Sequence, residues 1–450
     1  MNFLDRLLGR KQDAIVQQPN TSMAFYAQAG IPQDLRLSQE QAKTLSSVYA
    51  CVRVIAESLA ASPWNVYTLD TQGRRLLQSK DPLFYVLNVR PNADIGAQSF
   101  KEALIGNALV YNDGYAEIVF DKAGRVSGLS LIPSWQVMPK RAYGNENISS
   151  DPERKAEPGE LIYQISAPAV PGVQQPMPMF LGQDQVFHLK SLASVNGLMG
   201  DGPVTRAAMA MATAKAAEQY ALNYYENNAS LGGVLTLGRT LKPEEQKELE
   251  ARFAQERAGS ARAFKTLFLG PGSDFKQLQG NATDAAIVEM RQYTTEDISR
   301  YFGVPGHLIG VAMASQGWGR NLSDLYNVFV RNTLIPWSKR LEQEANYKLV
   351  TDRSGKMTDI DLSWLTQGDA EMRAKVHDIY LKNGVLSVNE VRASEGRNNI
   401  GDEGDLHLLE GTYTILDEEQ LITKPEPDPE AEKAMDDETQ AETDPATEQA

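Results

Sequence analysis

PVTRAAMAMATAKAAEQYALNYYENN, residues 203–228, decides how this chain is read. Seven of the eleven residues from 207 to 217 are alanine. Alanine is the strongest helix former, and Pro203 suits a first turn, where its missing N–H is not needed. The stretch predicts one long helix, roughly 39 Å at 1.5 Å per residue. Small side chains on several faces let neighbouring helices approach closely. They also leave few large groups for a private core. The helix could sit inside a monomeric bundle, but packing beside copies of itself explains the alanines better.

The chain on either side fits a stalk. Residues 230–280 read as a compact insert with a strand over Gly232–Leu237, a charged helix over Lys242–Gln255, and a second strand over Ala263–Leu269. A third strand over Phe275–Leu278 is possible. A second long helix, about 282–302, carries Ile287, Met290, Thr294, Ile298 and Tyr301 on one stripe. Two long helices bracketing a small α/β insert make a stalk with a knob. GVPGHLIGVAMASQGWGRN (303–321) then breaks the pattern, and a helix from Leu322 to Leu349 must kink at Pro336. Residues 367–396 read as two helices joined at Asn383-Gly384.

Upstream, Val48, Cys51, Val52, Ile55 and Leu59 form one helical face that Ser62-Pro63 ends. Trp64–Leu69 reads as a strand followed by a turn at Asp70–Gly73. Asp81-Pro82 supplies an N-cap and a first-turn proline. A helix over about Ser99–Val110 and strands over 115–120, 126–132, 160–166 and 185–190 follow. Residues 143–160 read as a polar surface loop. The region 46–200 is thus a mixed α+β domain. Residues 12–37 look like an irregular arm, behind a short amphipathic helix over 2–11.

The 450 residues carry 59 acidic and 44 basic side chains, a net charge of −15. That charge is local. Residues 401–450 hold 17 acids and 2 bases, whereas residues 1–400 hold 42 of each sign. Residues 424–450 lack the apolar groups to offset ordering entropy and read as a disordered acidic tail. A balanced body excludes a broad electrostatic grip on nucleic acid. One cysteine excludes an intramolecular disulfide or a cysteine metal cluster, and a reducing compartment is expected. No run of 18 apolar residues spans a membrane, and the first residues lack a signal-peptide core. There is no P-loop and no histidine spacing for zinc. GLMGDG (197–202) reads as a strand-to-helix turn, and His188 as a structural histidine. Neither catalysis nor a cofactor is indicated.

Six segments, taken in order, resemble the portal proteins of tailed bacteriophages, the head–tail connectors of lambdoid siphophage type. They are SVYACVRVIAESLAASPWNVY (47–67), GNALVYNDGYAEIVF (106–120), VFHLKSLASVNGLMGDGPVTRAA (186–208), YFGVPGHLIG (301–310), NTLIPWSKRLEQEANYKLV (332–350) and NGVLSVNEVRASEG (383–396) with GDEGDLHLL (401–409). The resemblance covers about residues 40–410. It implies an α+β portal fold assembled as a ring: an N-terminal arm (1–40), a mixed α/β wing (41–200), stem helices (201–229 and 281–302), a clip (230–280), a tunnel loop with a kinked tunnel helix (303–350), a helical crown (351–422) and the acidic tail (423–450).

The resemblance also implies a function: a ring of usually twelve copies at one vertex of the capsid, assembled in the host cytoplasm. Double-stranded DNA passes non-specifically through its channel, driven by the terminase large subunit, and the ring contacts the major capsid protein. A head–tail adaptor replaces the motor after packaging. The tunnel loop would present Val311, Ser315, Gln316, Trp318 and Arg320 to DNA. Trp318 and Arg320 could equally pack on a neighbour's loop. The clip helix would present Glu244, Glu245, Glu248 and Glu250 to the motor or adaptor. Rival readings are another ring-forming adaptor, usually much shorter and without the stem–clip–stem interruption, and an enzyme with an unfamiliar site.

Overall fold

The computed structural model describes residues 33–70, 73, 75–148, 151–166, 177–193, 197–226, 233–237, 244, 273–277, 284–311, 322–350, 355–366, 370–409, 414–417 and 420–423. Expectations for the arm before residue 33, the helix 242–255 other than Glu244, the strand 263–269, the loop 312–321 and the tail 424–450 lie outside those residues. The chain divides into two compact units, 1–365 and 366–450.

The first unit is mixed α+β. Its centre is the helix Ser46–Ala60, which buries Val48, Cys51, Ile55 and Leu59. That helix packs on Ala97–Tyr111 and on the second long helix of the stalk. Asp81 caps the helix Pro82–Asn88 by accepting from the Leu83 N–H at 2.8 Å, with Pro82 in the first turn. Strand Asp113–Phe120 lies between Val126–Ile132 and Val186–Lys190, antiparallel to both. Strand Trp64–Leu69 pairs with Arg75–Leu77 and also with Lys356–Ile360, in register Trp64↔Ile360 to Thr68↔Lys356. Residues 356–360 therefore complete the body's sheet. The first part of the segment expected as a crown from 351 belongs to the first unit, which ends at residue 365.

Three further readings are corrected. The polar stretch 143–160 is not a plain loop: strands Asn147–Ile148 and Asp151–Lys155 pair there, with Ile148 fully buried. Glu146 organises it, accepting from the N–H groups of Tyr143 (3.0 Å) and Gly144 (3.1 Å) and pairing with Lys140 at 3.1 Å. Burial alone would raise the Glu146 carboxyl. The Lys140 pair and the backbone donors outweigh it and hold the group below the usual range. The first stalk helix is two pieces, Pro203–Arg206 and Ala208–Glu226, broken at Ala207. On the second stalk helix, Asp284–Phe302, the buried residues among those described are Thr294, Ile298, Ser299 and Phe302, whereas Met290 and Tyr301 are exposed.

In the C-terminal unit, helices Ala370–Lys382 and Val388–Ser394 flank a turn in which Gly384 has a φ of +63°. Ser387 and Glu390 form a reciprocal capping box at the second helix. The Asn389 amide donates to the Gly401 carbonyl (2.8 Å) and to Asp405 (2.7 Å). A three-stranded sheet, Leu408–Leu409, Thr414–Asp417 and Gln420–Thr423, follows.

Candidate functional site

The stalk leaves the body through a buried polar hub. Asn112 ends the helix Ala97–Tyr111 in the left-handed region, at φ +75°. There its side-chain oxygen accepts from the Gly202 N–H (3.0 Å) and from the Thr205 hydroxyl (2.8 Å). Its main-chain oxygen accepts from the Ser191 N–H at 3.0 Å. Asp113 accepts from the Gly200 N–H (2.7 Å) and faces His188 Nε2 at 2.9 Å. A Cβ on Gly200 would lie 2.4 Å from the Asn112 carbonyl oxygen, and one on Gly202 would lie 2.5 Å from the Asn112 amide oxygen. Only glycine permits these approaches. GLMGDG thus sets the angle at which the first stalk helix departs, in keeping with the strand-to-helix turn expected from the sequence.

His188 is the structural histidine expected. It is buried, with Tyr163 Oη 3.1 Å from Nδ1. Burial lowers its pKa, and the Asp113 carboxylate opposes this only in part. In the neutral ring Nε2–H donates to Asp113, which can only accept, and Nδ1 accepts from the Tyr163 hydroxyl. The hub extends to the kinked helix. The His188 N–H donates to Glu344 (3.1 Å), which pairs with Lys348 at 2.7 Å. Lys348 in turn donates to the Val186 carbonyl. Hydrogen bonds to charged groups contribute about 1.5–3 kcal/mol each, so these links fix the stalk and the kinked helix to one frame.

The kinked helix runs Leu322–Phe329 and Ile335–Lys348, with one π-helical turn over Val330–Leu334 between them. Pro336 cannot donate to the turn before it, and the wider π turn absorbs that loss. Thr333 ties this turn to the end of the second stalk helix by donating to the Gly303 carbonyl at 2.7 Å. Where the sequence predicts a kink at Pro336, the helix carries this π-helical turn.

The helices Ala208–Glu226 and Asp284–Phe302 pack together. Their far ends lead to a two-stranded antiparallel sheet, Gly233–Leu237 with Ser273–Gln277. The first helix buries Ala208, Ala210, Met211, Ala212, Ala214, Ala217 and Ala221, and exposes Met209, Tyr220 and Leu222. The second exposes Met290, Tyr293 and Tyr301.

Of the residues expected to meet DNA, Val311 is half-buried and donates its N–H to the Gly306 carbonyl at 2.9 Å. Ser315, Gln316, Trp318 and Arg320 lie outside the described residues. Glu244 is exposed on a helix, and Glu245, Glu248 and Glu250 lie outside the described residues. No group of three His, Cys, Asp or Glu side chains among the described residues could hold a metal ion. No described helix is long and apolar enough to cross a membrane. Sequence reasoning missed Asn112, Asp113 and Thr205, whose only signal is an Asn-Asp-Gly run directly after a helix.

Solved structures match this arrangement. A chain in the neck of a native gene transfer agent particle, computed with C12 symmetry, has a TM-score of 0.52 at 22% identity, covering 81% of this chain and 94% of its own. The crystal structure of an HK97 family phage portal protein from Corynebacterium diphtheriae has a TM-score of 0.51 at 15% identity, covering 72% and 95%. At such identities the likeness is one of fold, and the fold is that of portal proteins. In sequence, the portal protein of Enterobacteria phage HK97 is 24% identical over 397 residues, 88% of each chain. The family model described as phage portal protein matches residues 46–396. The chain belongs to the phage portal protein family.

Proposed function

We propose that copies of this chain, twelve in number, close into a ring around a channel for double-stranded DNA at one capsid vertex. The observation that carries this is the stalk: the buried face of its first helix is almost all alanine, and Tyr220, Leu222, Tyr293 and Tyr301 are exposed on its two helices. One chain alone leaves Tyr220, Leu222, Tyr293 and Tyr301 in water, and a neighbour's stalk would cover them.

In that ring the wing is the body to residue 200, and residues 203–226 and 284–302 are stems. The strands 233–237 and 273–277 are the base of a clip. Glu244, Glu245, Glu248 and Glu250 present negative charge there, first to the terminase motor and then to the adaptor. Residues 311–321 form the tunnel loop, with Val311, Ser315, Gln316, Trp318 and Arg320 towards DNA. The crown is the C-terminal unit from residue 366. The balanced charge of residues 1–400 supports a sliding role, since attraction to every phosphate would hold the polymer fast. The motor supplies the translocation energy, and the ring serves as its seat and later as the exit. Negative-stain microscopy of the purified protein should show rings with an open centre. A strictly monomeric species at high concentration would contradict the proposal.

A further inference from the structure

A groove of about 590 Å³ opens where the stalk meets the body and the kinked helix. Leu109, Leu192, Tyr301 and Trp337 give it apolar walls, and three arginines reach it: Arg206, Arg300 and Arg340. Two of these are already neutralised. Arg206 donates to Asp201 at 2.7 Å, and Arg300 lies 3.4 Å from Asp297 and 3.7 Å from Glu296. Arg340 differs. It is half-buried with its guanidinium 4.8 Å from the Trp337 ring centroid, and it has no carboxylate partner among the described residues. Burial lowers its pKa, a sign that the single chain leaves this cation without its full solvation.

We infer that this groove seats an apolar, carboxylate-bearing segment of a second copy of the chain, with Arg340 as the anchor. Charge decides the chemistry of the occupant. A phosphate backbone needs a row of exposed, unneutralised cations, whereas this groove offers one desolvated guanidinium among apolar side chains. That combination suits a single carboxylate, which a guanidinium can grip with two parallel hydrogen bonds. Position argues for a second copy. Tyr301 both lines the groove and belongs to the exposed stalk face, so one neighbour could cover the two surfaces together. The inference rests on the ring reading proposed above and deepens it.

The test uses full-length protein and mass photometry over a dilution series. Wild-type rings should persist. Arg340→Ala should raise the concentration at which half the rings dissociate by about tenfold or more, as loss of an interface arginine anchor does. Its circular dichroism should be unchanged. Arg340→Lys keeps the charge and gives an amine that a carbodiimide can join to a touching carboxylate. In rings mixed from isotopically light and heavy Arg340→Lys chains, the cross-link should join light to heavy. If wild-type rings form but Arg340→Ala rings are equally stable, the inference fails and the ring reading stands. Cross-links confined to one chain would also overturn it. So would an Arg340→Ala protein with intact rings and weakened filter binding of duplex DNA, which would assign the groove to phosphate. If the wild type forms no ring at all, both readings fall.

Discussion

In the body, Trp64, Tyr115, Tyr163 and Phe187 are all at most 1% exposed. In the first stalk helix the buried positions are almost all alanine, whereas Leu222 is 60% exposed and Tyr220 40% exposed. One chain thus uses opposite packing in two regions. The body buries large residues against its own elements, including a strand that returns at 356–360. The first stalk helix places mostly alanine inside, so its backbone can approach a neighbour closely, and leaves Met209, Tyr220 and Leu222 exposed. The difference teaches that, in the ring proposed above, burial in the single chain underestimates the stalk's apolar contacts, and a second copy would supply the rest.

Three experiments probe that contrast. The largest effect belongs to the body. Phe187→Ala, which empties a buried site at the Trp64 contact, should cost about 3–5 kcal/mol, read as a lower urea midpoint. A cost below 1 kcal/mol would mean the body is not the self-sufficient core described. Next is the alanine face. Ala212→Leu should cost about 1–3 kcal/mol by overfilling a buried site on this helix. A neutral result would mean the alanines are not set by close packing.

The third effect is a pH slope at the hub that joins the two regions. The folded pKa of His188 is depressed, so the unfolded chain binds a proton that the folded chain does not. Stability should hold above the unfolded value, about 6.5, and fall as pH drops below it, by at most about 1.4 kcal/mol per pH unit. Thermal melts at pH 7.5, 6.5 and 5.5 should show this slope in the wild type and a shallower one in His188→Gln. Equal slopes would remove His188 as the source.

The sequence made the body's local elements legible. Trp64–Leu69 and the Asp81-Pro82 helix start follow from strand composition and capping chemistry, which act over a few residues. The alanine run and Pro336 similarly announced the helix Ala208–Glu226 and the irregular turn at Val330–Leu334. What stayed hidden depends on distant partners. Glu146 looks like surface charge until Lys140 and three N–H groups enclose it. The 356–360 strand has no local mark that it pairs with residue 64 rather than opening a new unit. Asn112 takes a left-handed turn because Gly200 and Gly202 approach it, and these glycines are about 90 residues away. Arg340 was illegible as a site residue, because its distinction is a carboxylate that is missing.

The central claim is that the outward face of the stalk is covered by another copy. Cys51 is the only cysteine; it is fully buried, and burial pushes its thiol up to about 12. An alkylating reagent should therefore pass it by, leaving a thiol introduced by Leu222→Cys as the sole reporter. The account predicts that this thiol is labelled rapidly in dissociated subunits and at least about tenfold more slowly in assembled rings, as burial at an interface requires. Equal labelling rates in the two states would show that Leu222 stays in water on assembly and would contradict the account.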